Sequence, residues 1–464
     1  MAFLGGKAKR KVVISGMLGN GLEWYDYALY GHMSIVFSQL FFPAGDAGKN
    51  LILTLLIFAA GFVSRPLGAI FFGRIGDKYG RKKALTMSMM MMAIPTGCIG
   101  LLPTYEAIGI AAPILLTVIR ILQGLSLGGA YSGSISYVVE HAPPDQRSAI
   151  GSVIKLSLVI GFLFGSIVST LMAAALSEAD FYSWGWRLPF FLGVGIGVVG
   201  FYIRNHGEES PVYEKAKKDG TLSKSPVKDT FTKYPFKMLQ AFMAYIFVTI
   251  PFYIIAIYMI AYTKRHLGLS EDDALLINSL AMATMLITIY PAARLADIIG
   301  RKIVLLIAIV AMIGLTYPAF TMMQSGLVTH TVVQEKIDNT TGQPVIDNAT
   351  GKPELVKSVI IDHPASFISV LIGQCILAMI LGWYLGPIPA TLVEIFPTSI
   401  RYTGMSLAYN LCAILGGFTP SIAEWMIGET DSNLSIMWLL IGAGIASFIA
   451  IITYKDRWRE PLPA

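Results

Sequence analysis

An all-α integral membrane protein, with twelve transmembrane helices in two pseudo-symmetric six-helix bundles, is the fold class this sequence predicts. Three observations carry it. Apolar stretches of about 20 residues, each long enough to cross ~30 Å of hydrocarbon as a helix, recur along the whole 464-residue chain. Lys and Arg fall unevenly on the two sides that those crossings define. Two short motifs occur once in each half. Composition agrees: 55% hydrophobic and 14% charged residues, with a mean hydropathy of +0.63, set the chain apart from an average soluble domain.

The expected spans are 13–37, 51–73, 84–102, 110–139, 148–175 and 187–204, then 236–262, 274–297, 303–324, 364–393, 402–427 and 433–454. The first is too long and too interrupted by polar groups for a cleaved signal peptide, so it is expected to remain as the first helix. Its flank, Lys7, Lys9, Arg10 and Lys11, is basic and belongs in the cytoplasm by the positive-inside rule. With this threading, Lys and Arg divide 25 to 6 in favour of the side holding both termini, and Arg65, Arg120, Lys155 and Arg187 fall within spans. The expectation is a multi-pass protein of the cytoplasmic (inner) membrane with both ends in the cytoplasm. Its net charge of +6 sits in membrane-flanking loops and calls for no nucleic-acid partner.

Cys98, Cys375 and Cys412 all lie in spans without a CxxC, and the six histidines form no HxxxH pair. Nothing resembles a metal site or a Ser/His/Asp arrangement, so neither an enzyme nor a cofactor is expected.

The chain divides at its most polar internal stretch, residues 205–235, which contains HGEESPVYEKAKKDGTLSKSPVKD. This reads as a cytoplasmic linker between bundles 1–204 and 236–464. GRIGDKYGRK at 73–82 returns as ARLADIIGRK at 293–302, and E-x-x-P-x-x-x-R occurs as Glu140, Pro143, Arg147 and as Glu394, Pro397, Arg401. Their offsets, 220 and 254 residues, differ by 34, which one insertion at 325–363 explains. That stretch reads as an extracytoplasmic, solvent-facing loop with its own small repeat, DNTTGQP and DNATGKP.

The motif between helices 2 and 3, weaker between helices 8 and 9, resembles the signature of the major facilitator superfamily. LGNGLEWYDYALYG in helix 1, SRPLGAIFFGRIGDKYGRKK, RILQGLSLGGAYSG in helix 4 and WGWRLPFF resemble the metabolite:proton symporters. EADFYSWGWRLPFF and FPTSIRYTGMSLAYN resemble the proline/glycine betaine branch. The resemblance implies the major facilitator fold, two bundles rocking about a midplane cavity. It also implies that Asp77 sits at a helix end, facing Arg81 and a helix N-terminus of the other half, where negative charge is favoured. Asp77, Arg81, Asp297, Arg301, Glu140, Arg147, Glu394 and Arg401 are therefore expected to gate access.

Ionisable groups deep in the membrane are the other candidates. Asp26 lies 13 residues past Val13, roughly 20 Å at 1.5 Å per residue, and Gly19, Glu23, Asp26 and Tyr30 share one helical face. Such groups usually face an internal cavity; the alternative is permanent ion pairs that hold helices together. Arg120, within an R-x-x-Q-G motif like that of proton-coupled members, is the expected partner, so Asp26, Glu23 and Arg120 are the proton-coupling candidates. Tyr27, Tyr30, Arg65, Gln123, Tyr131, Lys155, Tyr253, Tyr384 and Asn410 are the cavity candidates.

Two departures from the resembling family stand out. Ala130 replaces an acid in helix 4, and Lys155 stands where the betaine branch carries an aspartate. Lys155 either snorkels to the interface or faces the cavity and binds a carboxylate; the changed charge favours organic anions. The expected function is proton-coupled symport of a small organic solute, an organic acid or a zwitterion such as proline or glycine betaine. The alternatives are a proton-independent facilitator or exchanger, and a solute-binding membrane sensor. The expected partners are that solute, protons and the lipid bilayer, with the monomer as functional unit.

Overall fold

The computed structural model describes residues 7–43, 47–335 and 355–463. The first half contains α1 (Lys7–Leu40), α2 (Ala47–Tyr79), α3 (Arg81–Leu101), the short α4 (Tyr105–Ile108), α5 (Ala111–Glu140), α6 (Arg147–Ala175), the short α7 (Glu178–Ser183) and α8 (Leu188–Asn205). The linker expected at 205–235 contains α9 (Pro211–Lys218) and α10 (Pro226–Thr232); Ser210 caps α9 by accepting from the Tyr213 N–H at 3.1 Å. The second half contains α11 (Pro235–Phe252), α12 (Met259–Arg265), α13 (Glu271–Ile299), α14 (Arg301–Met323), α15 (Phe367–Leu385), α16 (Ile388–Ile395), α17 (Arg401–Thr430) and α18 (Met437–Thr453).

Among the described residues, 10 helical stretches are long and apolar enough to cross a membrane. The more polar α1 and the 17-residue α18 complete the twelve. Two expected spans are interrupted. Span 236–262 is α11 and α12 joined by a π-helical turn over Tyr253–Tyr258, just after Pro251, which cannot donate to the helical ladder. Span 364–393 breaks between α15 and α16 at Gly386 and Pro387.

The insertion is not simply a loop. β1 (Val328–Glu335) pairs antiparallel with β2 (Leu355–His363). Both strands are rich in β-branched residues (VTHTVVQE and LVKSVIIDH), which suit a pleated ribbon. The DNTTGQP and DNATGKP repeats fall at 336–354, outside the described residues.

Within the first half α1 packs along α6 and α8, and α2 along α5; within the second α13 and α14 pack on α15, and α11 on α17 and α18. The halves meet where α2 and α5 pack on α17 and where α6 packs on α13 and α16. Outward faces carry exposed apolar side chains such as Val63, Leu67, Val118 and Ile287, which lipid can accept. The turn residues Gly80 and Gly300 have φ of 114° and 100°, a region costly for any side chain with a Cβ. That geometry lets α3 and α14 begin at once with Arg81 and Arg301, and it explains the Gly-Arg pair common to both repeats.

The α2/α5 contact is the tightest constraint on sequence. A Cβ at Gly128 would lie 2.3 Å from the Arg65 carbonyl oxygen and 2.4 Å from the Ala69 nitrogen, so backbone meets backbone. Gly128→Val is expected to cost at least the ~1–3 kcal/mol typical of overpacking. A thermal melt in detergent will show a clearly lower midpoint; an unchanged midpoint would contradict this packing.

Candidate functional site

At the end of the molecule that carries the chain termini, two related charge clusters tie the halves together. Asp77 ends α2 and accepts from the backbone N–H groups of Tyr402 and Thr403, at 3.0 and 2.8 Å, in the first turn of α17. Asp297 ends α13 and accepts from Ser148 and Ala149, at 2.9 and 2.8 Å, in the first turn of α6. Each aspartate thus sits on the positive end of a helix from the opposite half. Arg81 donates to Asp77 at 2.8 Å and to the Thr398 carbonyl at 2.7 Å. Arg301 holds Glu394 at 2.9 Å and lies 3.6 Å from Asp297.

The second motif crosses over. Glu140 pairs with Arg401 at 2.7 Å, and Glu394 with Arg147 at 3.2 Å, so each glutamate takes the arginine of the other copy. The C-terminal segment closes over both clusters. Its Pro463 carbonyl accepts from Arg401 at 2.8 Å and its Glu460 carbonyl from Arg147 at 2.7 Å. The Trp458 indole donates to the Asp297 carbonyl at 2.8 Å.

Between the halves, beyond the latches, lies a small cavity of about 50 Å³. Helix α1 contributes Trp24, α2 Arg65, α5 Tyr131 and α6 Lys155; the second half contributes Tyr245, Phe252, Tyr253 and Tyr409. The wall holds two cations and no carboxylate. Lys155 is buried, donates to the Tyr245 hydroxyl at 2.7 Å and lies 4.4 Å from the Tyr131 ring centre. Arg65 donates to the Tyr27 hydroxyl at 2.6 Å and has the Glu23 carboxylate 3.8 Å away. A second buried cluster lies off the cavity wall. There Asp26 accepts from Arg120 at 2.6 Å, Gln123 at 2.8 Å and Thr96 at 2.9 Å, and the Tyr30 ring stacks 3.8 Å from the Arg120 guanidinium.

A family model described as "Sugar (and other) transporter" matches residues 12–229 and 213–456. The chain belongs to that family. Within this transporter family it is 31% identical over 462 residues to the proline/betaine transporter of Escherichia coli K12, covering 98% of this chain and 85% of that one. It is 32% identical to the glycine betaine/proline/ectoine/pipecolic acid transporter OusA of Dickeya dadantii, covering 98% and 84%. Among solved structures, the major facilitator superfamily proton:xylose symporter XylE bound to 6-bromo-6-deoxy-D-glucose superposes with a TM-score of 0.75 at 17% identity, over 98% of both chains. That last likeness establishes the major facilitator fold.

For a transporter of this family the placement of the candidate residues matters in detail. Arg65, Tyr131, Lys155 and Tyr253 line the cavity. Tyr27 stands behind Arg65 as its hydrogen-bond acceptor. Four other candidates lie off this wall. Tyr30 donates to the Thr54 carbonyl at 3.0 Å and covers Arg120. Gln123 is consumed by Asp26. Tyr384 donates to the Ala244 carbonyl at 2.6 Å, tying α15 to α11. Asn410 donates to the Gly128 carbonyl at 2.8 Å, tying α17 to α5. Trp24, missing from the sequence reading, had a signal: three residues before Tyr27, it puts its ring 5.6 Å from that of Tyr27. Glu23 and Asp26 share a face of α1 but turn to different partners.

The latches yield a direct expectation. Asp77→Asn keeps the shape but removes the charge on the α17 N-terminus, a loss of roughly 1.5–3 kcal/mol for charged hydrogen bonds. Spin-label distances between the termini-side ends of α2 and α17 are expected to lengthen and broaden. Deleting residues 458–464 is expected to do the same to a lesser degree. An unchanged distance distribution in Asp77→Asn would deny the aspartate its latching role.

Proposed function

We propose that this family member is a secondary active transporter of the cytoplasmic membrane, with both termini cytoplasmic, that couples uptake of a small carboxylate-bearing solute to protons by alternating access. The observation that carries this reading is the cavity wall, where buried Arg65 and Lys155 stand among aromatic rings with no lining carboxylate. Glu23, behind the wall, offsets one of these two buried charges, and the remaining positive charge is expensive unless something anionic compensates it. Arginine and lysine both suit a carboxylate. The rings of Trp24, Phe252, Tyr253 and Tyr409 suit the rest of the solute, whether an apolar body or, through cation–π attraction, an onium group. Proline and betaine, named in the relatives, both carry a carboxylate.

Lys155 therefore acts as a cavity residue rather than a snorkelling one, since its ammonium is held by Tyr245 and covered by Tyr131. The proton acts at the α1 face bearing Glu23 and Asp26, with Arg120 beside it. The reading needs no cofactor beyond the proton gradient, assigns no enzymatic chemistry and takes the monomer as the working unit. A second reading, exchange without obligatory protons, draws on Ala130 in helix α5, which leaves that cavity-side helix with no acid between Ala111 and Val139.

Proteoliposomes test this. The protein is expected to accumulate at least one of proline, glycine betaine, 2-oxoglutarate, succinate and shikimate when an inward proton gradient is imposed. Choline, an onium without a carboxylate, should not accumulate. Lys155→Met is expected to weaken apparent affinity by about ten- to a hundredfold, the worth of a charged hydrogen bond. Choline accumulation, or unchanged affinity in Lys155→Met, would overturn the carboxylate assignment. Accumulation indifferent to the gradient would favour the exchanger.

A further inference from the structure

We propose that the coupled proton is carried by Glu23 rather than Asp26, and that the solute carboxylate displaces Glu23 as the counter-ion of Arg65 and Lys155. The proposal rests on the reading of the cavity as a proton-coupled carboxylate site.

The two carboxylates lie one turn apart on α1 in opposite circumstances. Asp26 is fully buried and accepts from Arg120, Gln123 and Thr96. Its anion is satisfied by charge-assisted bonds of the strong kind, and a proton would break them. Neither carboxylate lies on the cavity wall, but the partners of Asp26 lie off it as well, whereas Arg65 and Lys155, the cations nearest Glu23, line it. Glu23 is equally buried, yet neither of its carboxylate oxygens accepts a hydrogen bond. The nearest cation, Arg65, is 3.8 Å away, and it spends its short hydrogen bond on Tyr27 at 2.6 Å. Lys155, which also acts on Glu23 electrostatically, spends its own on Tyr245 at 2.7 Å. A buried carboxylate anion without donors is held only by the field of its neighbours.

That field is what a bound solute alters. The charged and titratable groups facing Glu23 are Arg65 from α2, Lys155 from α6, Tyr27 from its own helix, Tyr131 from α5 and Tyr409 from α17. Arg65 Nε and the indole N–H of Trp24 have no hydrogen-bond partner, and both residues line the cavity. A solute carboxylate placed there satisfies these donors and takes the attraction of both cations away from Glu23. Glu23 then takes up a proton from the water on the loading side.

The charge balances. With Glu23 ionised, the group of Glu23, Arg65 and Lys155 carries one net positive charge. With a monocarboxylate bound and Glu23 protonated it carries the same. On the other side the carboxylate departs, the proton leaves Glu23 for water, and the Glu23 anion returns as counter-ion. For a monocarboxylate anion the cavity rocks through the membrane at constant charge, while a zwitterion such as proline or glycine betaine adds its own positive charge and a dicarboxylate a further negative one; in each case one proton travels with each solute.

The experiment uses the full chain and whichever of the five carboxylate probes the wild type accumulates. In weakly buffered detergent solution, binding of that probe to the wild type should take up about one proton per chain. Glu23→Gln should bind the probe without proton uptake, with affinity independent of pH. In proteoliposomes it should exchange internal for external probe but lose gradient-driven accumulation. Asp26→Asn should melt at lower temperature, because Arg120 loses its partner, yet still take up the proton on binding. Glu23→Asp should recover part of the gradient-driven accumulation. Proton uptake by Glu23→Gln overturns the proposal. So does an Asp26→Asn that binds the probe with no proton uptake, a result that decides the matter even where Glu23→Gln does not fold. A wild type that binds the probe without proton uptake, or accumulates none of the five, refutes the underlying reading and this assignment with it.

Discussion

The structure depends on one constraint, that charge removed from water must be matched within reach. The chain buries Asp77, Arg81, Glu140, Arg147, Asp297, Arg301, Glu394 and Arg401 at the end where its halves meet. Each half pairs part of its own share, Asp77 with Arg81 and Glu394 with Arg301, and contacts across the interface complete the rest. Arg401 of the second half completes Glu140 of the first, and Arg147 of the first completes Glu394 of the second. Each aspartate likewise depends on a helix N-terminus from across the interface. Duplication followed by exchange of partners makes an interface whose charges have their full set of partners only when it is closed. Such an interface has two states by nature: dry and paired, or open and hydrated.

The same constraint separates the deeper charges by role. The Asp26 carboxylate is satisfied by Arg120, Gln123 and Thr96, although Nε and Nη2 of Arg120 have no hydrogen-bond partner. Glu23, Arg65 and Lys155 satisfy one another only through their fields, and their hydrogen bonds go to phenols instead. A cluster of that kind is poised, because an arriving anion improves it. The aromatic surroundings sharpen the effect by excluding water, which would otherwise supply the missing bonds.

Much of this was legible in the sequence, for identifiable reasons. The spans follow from hydrophobic length, and the duplication follows from the recurrence of Asp77/Arg81 as Asp297/Arg301. What could not be read were facts of three-dimensional pairing. Glu23 and Asp26 lie three residues apart on one face, yet that small angular difference sends one toward α2 and α6 and the other toward α3 and α5. Tyr384 and Asn410 sit at cavity depth but spend their polar groups on carbonyls of neighbouring helices. The hairpin at 328–335 and 355–363 was hidden because its polar surroundings outweighed its β-branched runs in any reading tuned to membrane spans.

Symmetry at the latches and asymmetry in the cavity fit together mechanically. The latch residues recur in both halves, so rocking can be carried by equivalent contacts. The cations do not recur: Arg65 and Lys155 come only from the first half, while the second half supplies Tyr245, Phe252, Tyr253 and Tyr409. On the carboxylate reading proposed above, a solute held by its carboxylate on one half and by its body on the other bridges the two, and so its binding energy bears on their relative position. The π-helical turn over Tyr253–Tyr258 and the break after Leu385 place the irregular backbone of the second half beside that bridge. The two cations stand on α2 and α6, which run unbroken through Ala47–Tyr79 and Arg147–Ala175, whereas the wall of the second half takes Tyr253 from the π-helical turn and Leu385 from the end of α15, so backbone irregularity lies on the side opposite the charges.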